Sequence, residues 1–242
     1  RDSSTSRGLG DVYKRQDQMP LTDRKQVVQK AMQQVMDAGT DVSKLKKEHI
    51  EDYKALFSRQ DFSLHTDRSG RTDKLLKDPA AFQAVCELLY QYGKYLMISG
   101  SRRGGQPLNL QGQWNANIRP AWSSNYTVNI NTQMNYWGAS LCGLQECLEP
   151  YLRMVHEVCK RGGKTAKVNY GCRGFACNHN VDLWRKTAPV IGESNYMYAP
   201  LCGVWLANEI YEHYLNGGLD AERDTVLEIC LLYPSPSPRD GE

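Results

Sequence analysis

What most constrains the fold of this chain is an alternation. Stretches whose apolar residues recur with the 3.6-residue helical period are separated by long segments rich in glycine and amides, and no block alternates like a strand. Leu21–Ala38 places Val27, Val28, Ala31, Val35 and Met36 on one helical face and stops at Gly39. Val42–Phe57 repeats the pattern with Leu45, Ile50, Tyr53, Leu56 and Phe57. Ser58–Lys77 is polar, carries Gly70 and reads as a connection. Asp78-Pro79 then supplies an N-cap followed by proline at the first helical position. That helix runs through Phe82, Val85, Leu88, Leu89, Tyr92 and Leu96 and stops near Gly100. Thr132–Cys159 is a long helical stretch through Leu141, Leu144, Leu148, Leu152 and Val155, ended by Gly162-Gly163, with Gly143 and Pro150 as points of interruption or kinking. Leu201–Leu215 is a last helix, closed by Gly217-Gly218. The segments Ser101–Asn125 and Cys172–Gly192 are irregular, and a long ordered loop inside a compact domain is usually functional. The expectation is an all-α fold of packed helices whose long loops build a site.

The segment Asn125–Trp137, NYTVNINTQMNYW, is the richest of these in chemistry. It sets five side-chain amides (Asn125, Asn129, Asn131, Gln133, Asn135) among three aromatics (Tyr126, Tyr136, Trp137). A plain core segment does not use so many amides, because each costs free energy to bury unless it is hydrogen-bonded. A pocket for a hydroxyl-rich ligand does use them. Amides donate to and accept from hydroxyls, and aromatic faces cover the C–H face of a sugar ring. An amide-rich turn capping a helix is the structural alternative.

Composition removes other classes. The net charge is only +3, with no Lys/Arg block interleaved with aromatics, so nucleic-acid binding has no support. No apolar run approaches membrane-spanning length. Eight cysteines occur without any C-x-x-C, and the pairs Cys142/Cys147 and Cys172/Cys177 read as buried free thiols rather than a zinc site or a disulfide framework. His156 and His213 lack partners at metal-ligand spacing, so neither metal nor cofactor is expected.

Both ends read as foreign. Ser6–Gln16, SRGLGDVYKRQ, is what a common transposon-based sequencing adapter gives when translated in frame. Cys230–Asp240, CLLYPSPSPRD, resembles the reverse strand of that adapter, with Pro234 as the departure. Residues 1–16 and 230–242 are therefore expected to be non-native tails, and about Asp17–Ile229 an internal piece of a longer reading frame.

Several ordered motifs together resemble a known family. They are LNLQGQWN (Leu108–Asn115), NYTVNINTQMNYW, YGCRGF (Tyr170–Phe175), HNVDLWR (His179–Arg185) and WLANEIYEHYL (Trp205–Leu215), with HIEDYKALFSR (His49–Arg59) and QYGKYLMISGSR (Gln91–Arg102) upstream. The pattern is similar to glycoside hydrolase family 95, which contains α-L-fucosidases and α-L-galactosidases, and it covers nearly all of Asp17–Gly218. The resemblance implies an (α/α)6 barrel (a toroid) preceded by a β-rich domain and linker helices. Residues 17–77 would be the linker helices and residues 78–229 the first part of the barrel.

It also implies inverting glycoside hydrolysis, in which a general acid protonates the leaving oxygen and water attacks from the opposite face. In the family, a pair of asparagines and a distant aspartate hold and activate that water. The pair matches Asn129 and Asn131, which an extended loop would point the same way, two residues apart. The family's acid, a glutamate in an S-P-E-N-like motif, has no match before Ile229, so the chain alone is expected to be inactive. His179, Trp114 and Asn115 are candidate substrate contacts. Where the family reads H-H-N-x-D, this chain has Asn178 at the first histidine, and Val181 stands at the usual threonine. Thr127 sits where strict fucosidases tend to carry histidine and members accepting L-galactose carry threonine. The two sugars differ only at C6, and one such group discriminates by about 1–3 kcal/mol. Asp182 is read as bonding loop backbone or Arg185, and Glu209 with Glu212 as a solvated helix face. The expected partner is a fucosylated oligosaccharide or polysaccharide, and the expected source a secreted or periplasmic bacterial enzyme. Two readings stay beside this one: a non-catalytic carbohydrate-binding relative, and an α/α-barrel glycosidase of other sugar specificity.

Overall fold

The computed structural model describes residues 24–67, 69–190, 199–217 and 219–231. The proposed tail 1–16 and most of the proposed tail 230–242 lie outside them, as do the first residues of the helix expected from Leu21. The chain forms two compact units, Arg1–Asp52 and Tyr53–Glu242. In the first, α1 (Arg24–Ala38) ends at Gly39, whose φ of +73° suits glycine. The Asp41 carboxylate then caps α2 (Val42–Phe57), accepting from the backbone N–H groups of Ser43 and Lys44 at 3.0 Å each.

The fold class is all-α, as expected. Among the described residues the strands are β1 (Tyr126–Thr127) and β2 (Asn180–Val181), two residues each. In the second unit, Arg59 leaves the end of α2 and forks onto Glu146 with two 2.6 Å bonds, and the carboxyl is held below its ordinary pKa by that guanidinium. The connection contains one helical turn, α3 (Thr72–Leu75). Asp78 accepts from Ala80 N–H at 2.9 Å, capping the 3-10 turn Pro79–Ala81 that leads into α4 (Phe82–Gly100).

The face that α4 buries differs from the apolar stripe in the sequence. Phe82, Leu89 and Tyr92 are exposed, while Glu87 and Lys94 are buried. The reason is the preceding connection, which runs along the helix and partners both charges. The Glu87 carboxylate accepts from Leu64 N–H and from the Ser63 hydroxyl, and the Lys94 ammonium donates to the carbonyls of Phe57 and Gln60 and lies 4.5 Å from the Phe57 ring. Burial is tolerable for these groups because each meets polar partners.

The expected long helix over 132–159 is instead a broken run. α5 (Asn131–Tyr136) and α6 (Gly138–Leu141) are followed by a 3-10 turn, Gln145–Leu148, and then α7 (Glu149–Thr165). Gly143, at φ +66°, makes the break, a conformation that costs a residue with a Cβ roughly 1–2 kcal/mol. Pro150 does not kink α7 but sits in its first turn, where its missing N–H is no loss. Nor do Gly162-Gly163 end that helix, which continues to Thr165 and through a π-helical turn, Ala166–Tyr170, to Gly171 in the left-handed region. Gly162 is there for proximity: a Cβ on it would meet the Ala176 carbonyl oxygen at 2.9 Å and the Phe175 Cβ at 3.0 Å.

The core lies where α7 packs on α8 (Cys202–Leu215) and α9 (Arg223–Leu231). Tyr151, Met154, Val155 and Val158 of α7 are fully buried with Leu206 and Ile210 of α8 and Ile229 of α9. These positions recur at three- and four-residue spacing, which turns one stripe of each helix inward. The cysteines are free, and Cys147, Cys159, Cys177 and Cys202 are buried among these side chains. Burial pushes the Cys159 thiol up to about 12 and that of Cys202 up to about 11, so they behave as small apolar groups.

Candidate functional site

The two motif-rich loops meet in an antiparallel ribbon. Tyr126 faces Val181 and Thr127 faces Asn180, and Val128 N–H extends the ladder by donating to the His179 carbonyl at 2.7 Å. The Thr127 hydroxyl donates to the Asn180 side-chain oxygen at 3.1 Å. Thr127, on β1, and His179, just before β2, are therefore held close together along the backbone, both nearly buried.

Beyond β1 the chain turns at Val128–Ile130 and enters α5 at Asn131. This corrects the extended geometry expected for Asn129 and Asn131: one lies in a turn and the other begins a helix. The five amides divide their duties. The Gln133 amide donates to the Val128 carbonyl at 2.6 Å and is fully buried, and Asn135 donates to the Asn109 carbonyl at 3.1 Å. Thr132 adds a bond to the Thr127 carbonyl at 3.0 Å. These three fasten the turn and the neighbouring loop. The Asn129 side chain is exposed and those of Asn125 and Asn131 are half-buried, and among the described residues none of the three has a side-chain hydrogen bond; Asn125 is held through its backbone, which bonds Leu110 and Trp122. Asn129 and Asn131 thus stand on a backbone that their neighbours lock.

The aromatics of the segment are structural on one side. Tyr136 is buried and stacks on Tyr151 with ring centroids 4.5 Å apart. Its hydroxyl accepts from Leu108 N–H at 2.9 Å and donates to the Ser101 hydroxyl at 2.8 Å, because Ser101 gives its own proton to the Cys147 carbonyl. The loop 101–125 is so tied to α5, and a second tie joins Leu110 N–H to the Asn125 carbonyl at 3.0 Å. Trp114 packs against Gly100 and Gly112, where an added Cβ would come within 3.3 and 2.9 Å of its ring, and it remains 48% exposed beside Tyr95. Asn115 is engaged at both ends of its amide. It donates to the Ser124 hydroxyl at 3.0 Å and accepts from Asn117 N–H at 2.8 Å. These contacts make Trp114 a packing anchor with one open face and Asn115 a loop clasp. No hydrogen bond joins either of them directly to Asn129 or Asn131 among the described residues.

The second loop is cross-braced. Asn178, buried, donates from its side chain to the Thr187 carbonyl at 3.0 Å and accepts from the Tyr170 hydroxyl at 3.3 Å. Asp182 accepts from the backbone N–H groups of Trp184 and Lys186, both at 2.9 Å, which is the loop-bonding role read from the sequence. Arg185, buried and at φ +61°, donates to Glu157 at 2.7 Å and Gln106 at 2.8 Å and lies 5.5 Å from the Tyr126 ring. A strained backbone of this kind persists only when its surroundings over-determine it. The last residues of the irregular segment expected to Gly192 lie outside the described residues.

Glu209 is a correction. It does not share a solvated face with Glu212 but is only 7% exposed, accepting from the Trp137 indole N–H and from the Tyr151 hydroxyl, the latter at 3.0 Å. Burial pushes its carboxyl above the ordinary range, and the two donors pull it back. The signal was in the helical phase: Cys202, Leu206, Glu209, Ile210 and His213 recur at three- and four-residue steps, and all are buried. His213, on this face, is bonded to the Ser140 hydroxyl at 2.9 Å, and burial pushes its pKa down to about 4. Both border a cleft of about 310 Å³ between α6 and α8 that contains none of the residues assigned from the sequence.

The helices thus present amide-bearing loops braced by a short ribbon, and the family to which they belong is shown by the sequence. The sequence matches the glycosyl hydrolase family 95 catalytic domain over residues 41–221, and the chain belongs to that family. It is 39% identical over 183 residues to alpha-L-fucosidase 2 of Arabidopsis thaliana, an alignment covering 71% of this chain and 22% of that protein. It is 33% identical over 180 residues to the probable alpha-fucosidase A of Aspergillus niger, covering 71% and 22%, and 32% identical over 202 residues to that of Aspergillus oryzae, covering 76% and 28%. The chain thus spans about a quarter of the length of these relatives.

Proposed function

We propose that this chain is part of an enzyme that removes terminal α-L-fucose from oligosaccharides with inversion, and that accepts α-L-galactose as well. Family membership and the names of its relatives support the class of reaction. The observation that carries the site is the pair Asn129 and Asn131, unpartnered on a turn held by Thr132, Gln133 and the His179 carbonyl. Water held by the two amides attacks the anomeric carbon as the bond to the leaving oxygen breaks. A carboxylic acid gives that oxygen its proton, and a carboxylate takes the proton of the water. An amide oxygen is too weakly basic for that last step, so Asn129 and Asn131 orient the water and do not deprotonate it. The acid and the base belong to family motifs that this chain does not contain. Thr127 and His179 would face the sugar, with Trp114 and Asn115 further out on the neighbouring loop.

In this reading residues 78–229 form the first part of an (α/α)6 barrel after linker helices. The adapter-like ends take no part, and the family match, 41–221, lies between them. The enzyme works on fucosylated glycans outside the bacterial cytoplasm. The test is made on the complete gene recovered from its source. The expressed enzyme is given an α-1,2-fucosylated oligosaccharide and its L-galactosyl counterpart, and the anomer released is followed. Release with inversion, reduced about 10²–10⁴-fold by Asn129→Ala or Asn131→Ala, is the expected result. A folded enzyme that releases neither sugar, or one indifferent to both substitutions, overturns it.

A further inference from the structure

We propose that Glu209 is a positioning residue for the Asn129–Asn131 turn: its two carboxylate oxygens fix Trp137 directly and Tyr136 through Tyr151, and so anchor the short helix on which Asn131 begins. The inference rests on the functional reading above and adds to it a residue on a different helix.

The need for an anchor follows from the size of α5. Six residues from Asn131 to Tyr136 make too few backbone bonds to offset helix nucleation, so tertiary contacts set the position of this helix. No side chain caps its start at Ile130. Its first turn is instead fastened to the preceding residues by Thr132 onto the Thr127 carbonyl and Gln133 onto the Val128 carbonyl. The turn carrying Asn129 therefore moves with α5. At the far end, one side chain holds two consecutive residues. Glu209 accepts from the Trp137 indole and from the Tyr151 hydroxyl, and Tyr151 lies parallel to Tyr136 with an interplanar angle of 6°. Tyr136 in turn holds Ser101 and Leu108 of the neighbouring loop. The indole has a single donor and Tyr151 is fully buried, so both lose their partner if the carboxylate goes. The other ionisable groups near Glu209 are His213, edge-on to Tyr151, and Glu212 on the rim of the cleft.

The carboxylate acts here through its two acceptor positions. Glutamine keeps both bonds, since its carbonyl accepts from Trp137 and its amide donates to the Tyr151 oxygen. Leucine keeps neither. In the complete enzyme, kcat and KM for fucose release are measured at a temperature where circular dichroism shows every variant folded. Glu209→Leu and Trp137→Phe are expected to lower kcat by about 10- to 100-fold, the scale of a displacement near 1 Å at the reacting atoms, with KM nearly unchanged. Glu209→Gln is expected to retain most of the wild-type kcat. The Leu/Phe double variant should be no worse than the poorer single one, because both remove the same contact. A folded Glu209→Leu with wild-type kcat overturns the inference, as does a Glu209→Gln as impaired as Glu209→Leu. If Glu209→Leu does not fold, Trp137→Phe decides: wild-type kcat in that variant overturns the inference. A wild-type enzyme without fucose release overturns the functional reading and this inference with it, whereas an active wild type indifferent to these changes overturns this inference alone.

Discussion

Gly162 and Gly163 are consecutive in α7, yet alanine at the two positions should act in opposite directions. In a helix interior, alanine is favoured over glycine by about 0.8–1 kcal/mol. At Gly163 nothing opposes that gain. The nearest atom to an added Cβ is the Gly174 carbonyl oxygen at 3.6 Å, an ordinary contact. At Gly162 the Cβ would meet the Ala176 carbonyl oxygen at 2.9 Å, with Phe175 Cβ at 3.0 Å and its ring at 3.2 Å. The loop cannot simply retreat, because Ala176 N–H donates to the Gly162 carbonyl at 3.1 Å at the same place. Phe175 is also closed in from the other side by Gly203 of α8, whose added Cβ would lie 2.4 Å from the ring. Overpacking of this kind costs about 1–3 kcal/mol. The helix gain therefore leaves Gly162→Ala net destabilised by about 1 kcal/mol, and Gly163→Ala stabilised by slightly less than that. Urea unfolding followed by circular dichroism resolves the difference. With an m-value of about 1–3 kcal/mol/M, a gap near 2 kcal/mol separates the two midpoints by about 1 M. If Gly162→Ala proves as stable as Gly163→Ala, close approach of the 175–177 segment is not what places a glycine there.

Two further outcomes are expected. His213 stays neutral in the fold because burial lowers its pKa from 6.5 to about 4, so the unfolded chain takes up a proton first as pH falls through that window. The native state should lose up to about 3 kcal/mol between those values. Glu209, with its carboxyl raised, works against this loss, since its folded form binds a proton at higher pH than its unfolded form. Comparing urea midpoints at pH 7 and pH 5 for wild type and His213→Gln checks the sign, and an equal pH dependence in both would refute it. In the complete enzyme, Thr127→His is expected to lower L-galactose release relative to fucose release by roughly 10-fold, the size of discrimination that one hydroxymethyl group supports. An unchanged ratio of kcat/KM values would show that Thr127 does not sense C6.

How much of this was legible depended on whether the signal was local. The 3.6-residue period gave the helices at 42–57 and 202–215 to within a residue or two and the one at 82–100 to within three, since Asp78-Pro79 cap a 3-10 turn that leads into it, and Gly39 marked a boundary that the structure keeps. The meaning of Gly162 was not legible, because glycine that ends a helix and glycine that admits a neighbour look the same in one dimension. For Glu209 the helical phase already pointed inward, in step with Leu206, Ile210 and His213, but its role did not show until its two donors, from α7 and from the end of α5, were brought against it.

The sequence by itself determined the helical class, the free-thiol character of the cysteines and the motifs that mark the family, since all of these are carried by residue type and spacing. Only the tertiary structure decided which side of α4 is buried, that Gln133 and Asn135 are the amides tied to backbone carbonyls while Asn129 and Asn131 are not, and that the backbones of Thr127 and His179 are brought together by one ribbon. Each of those depends on contacts between residues far apart in the chain. Whether a polar side chain holds the fold or stays open to a ligand is settled by whether such a contact exists.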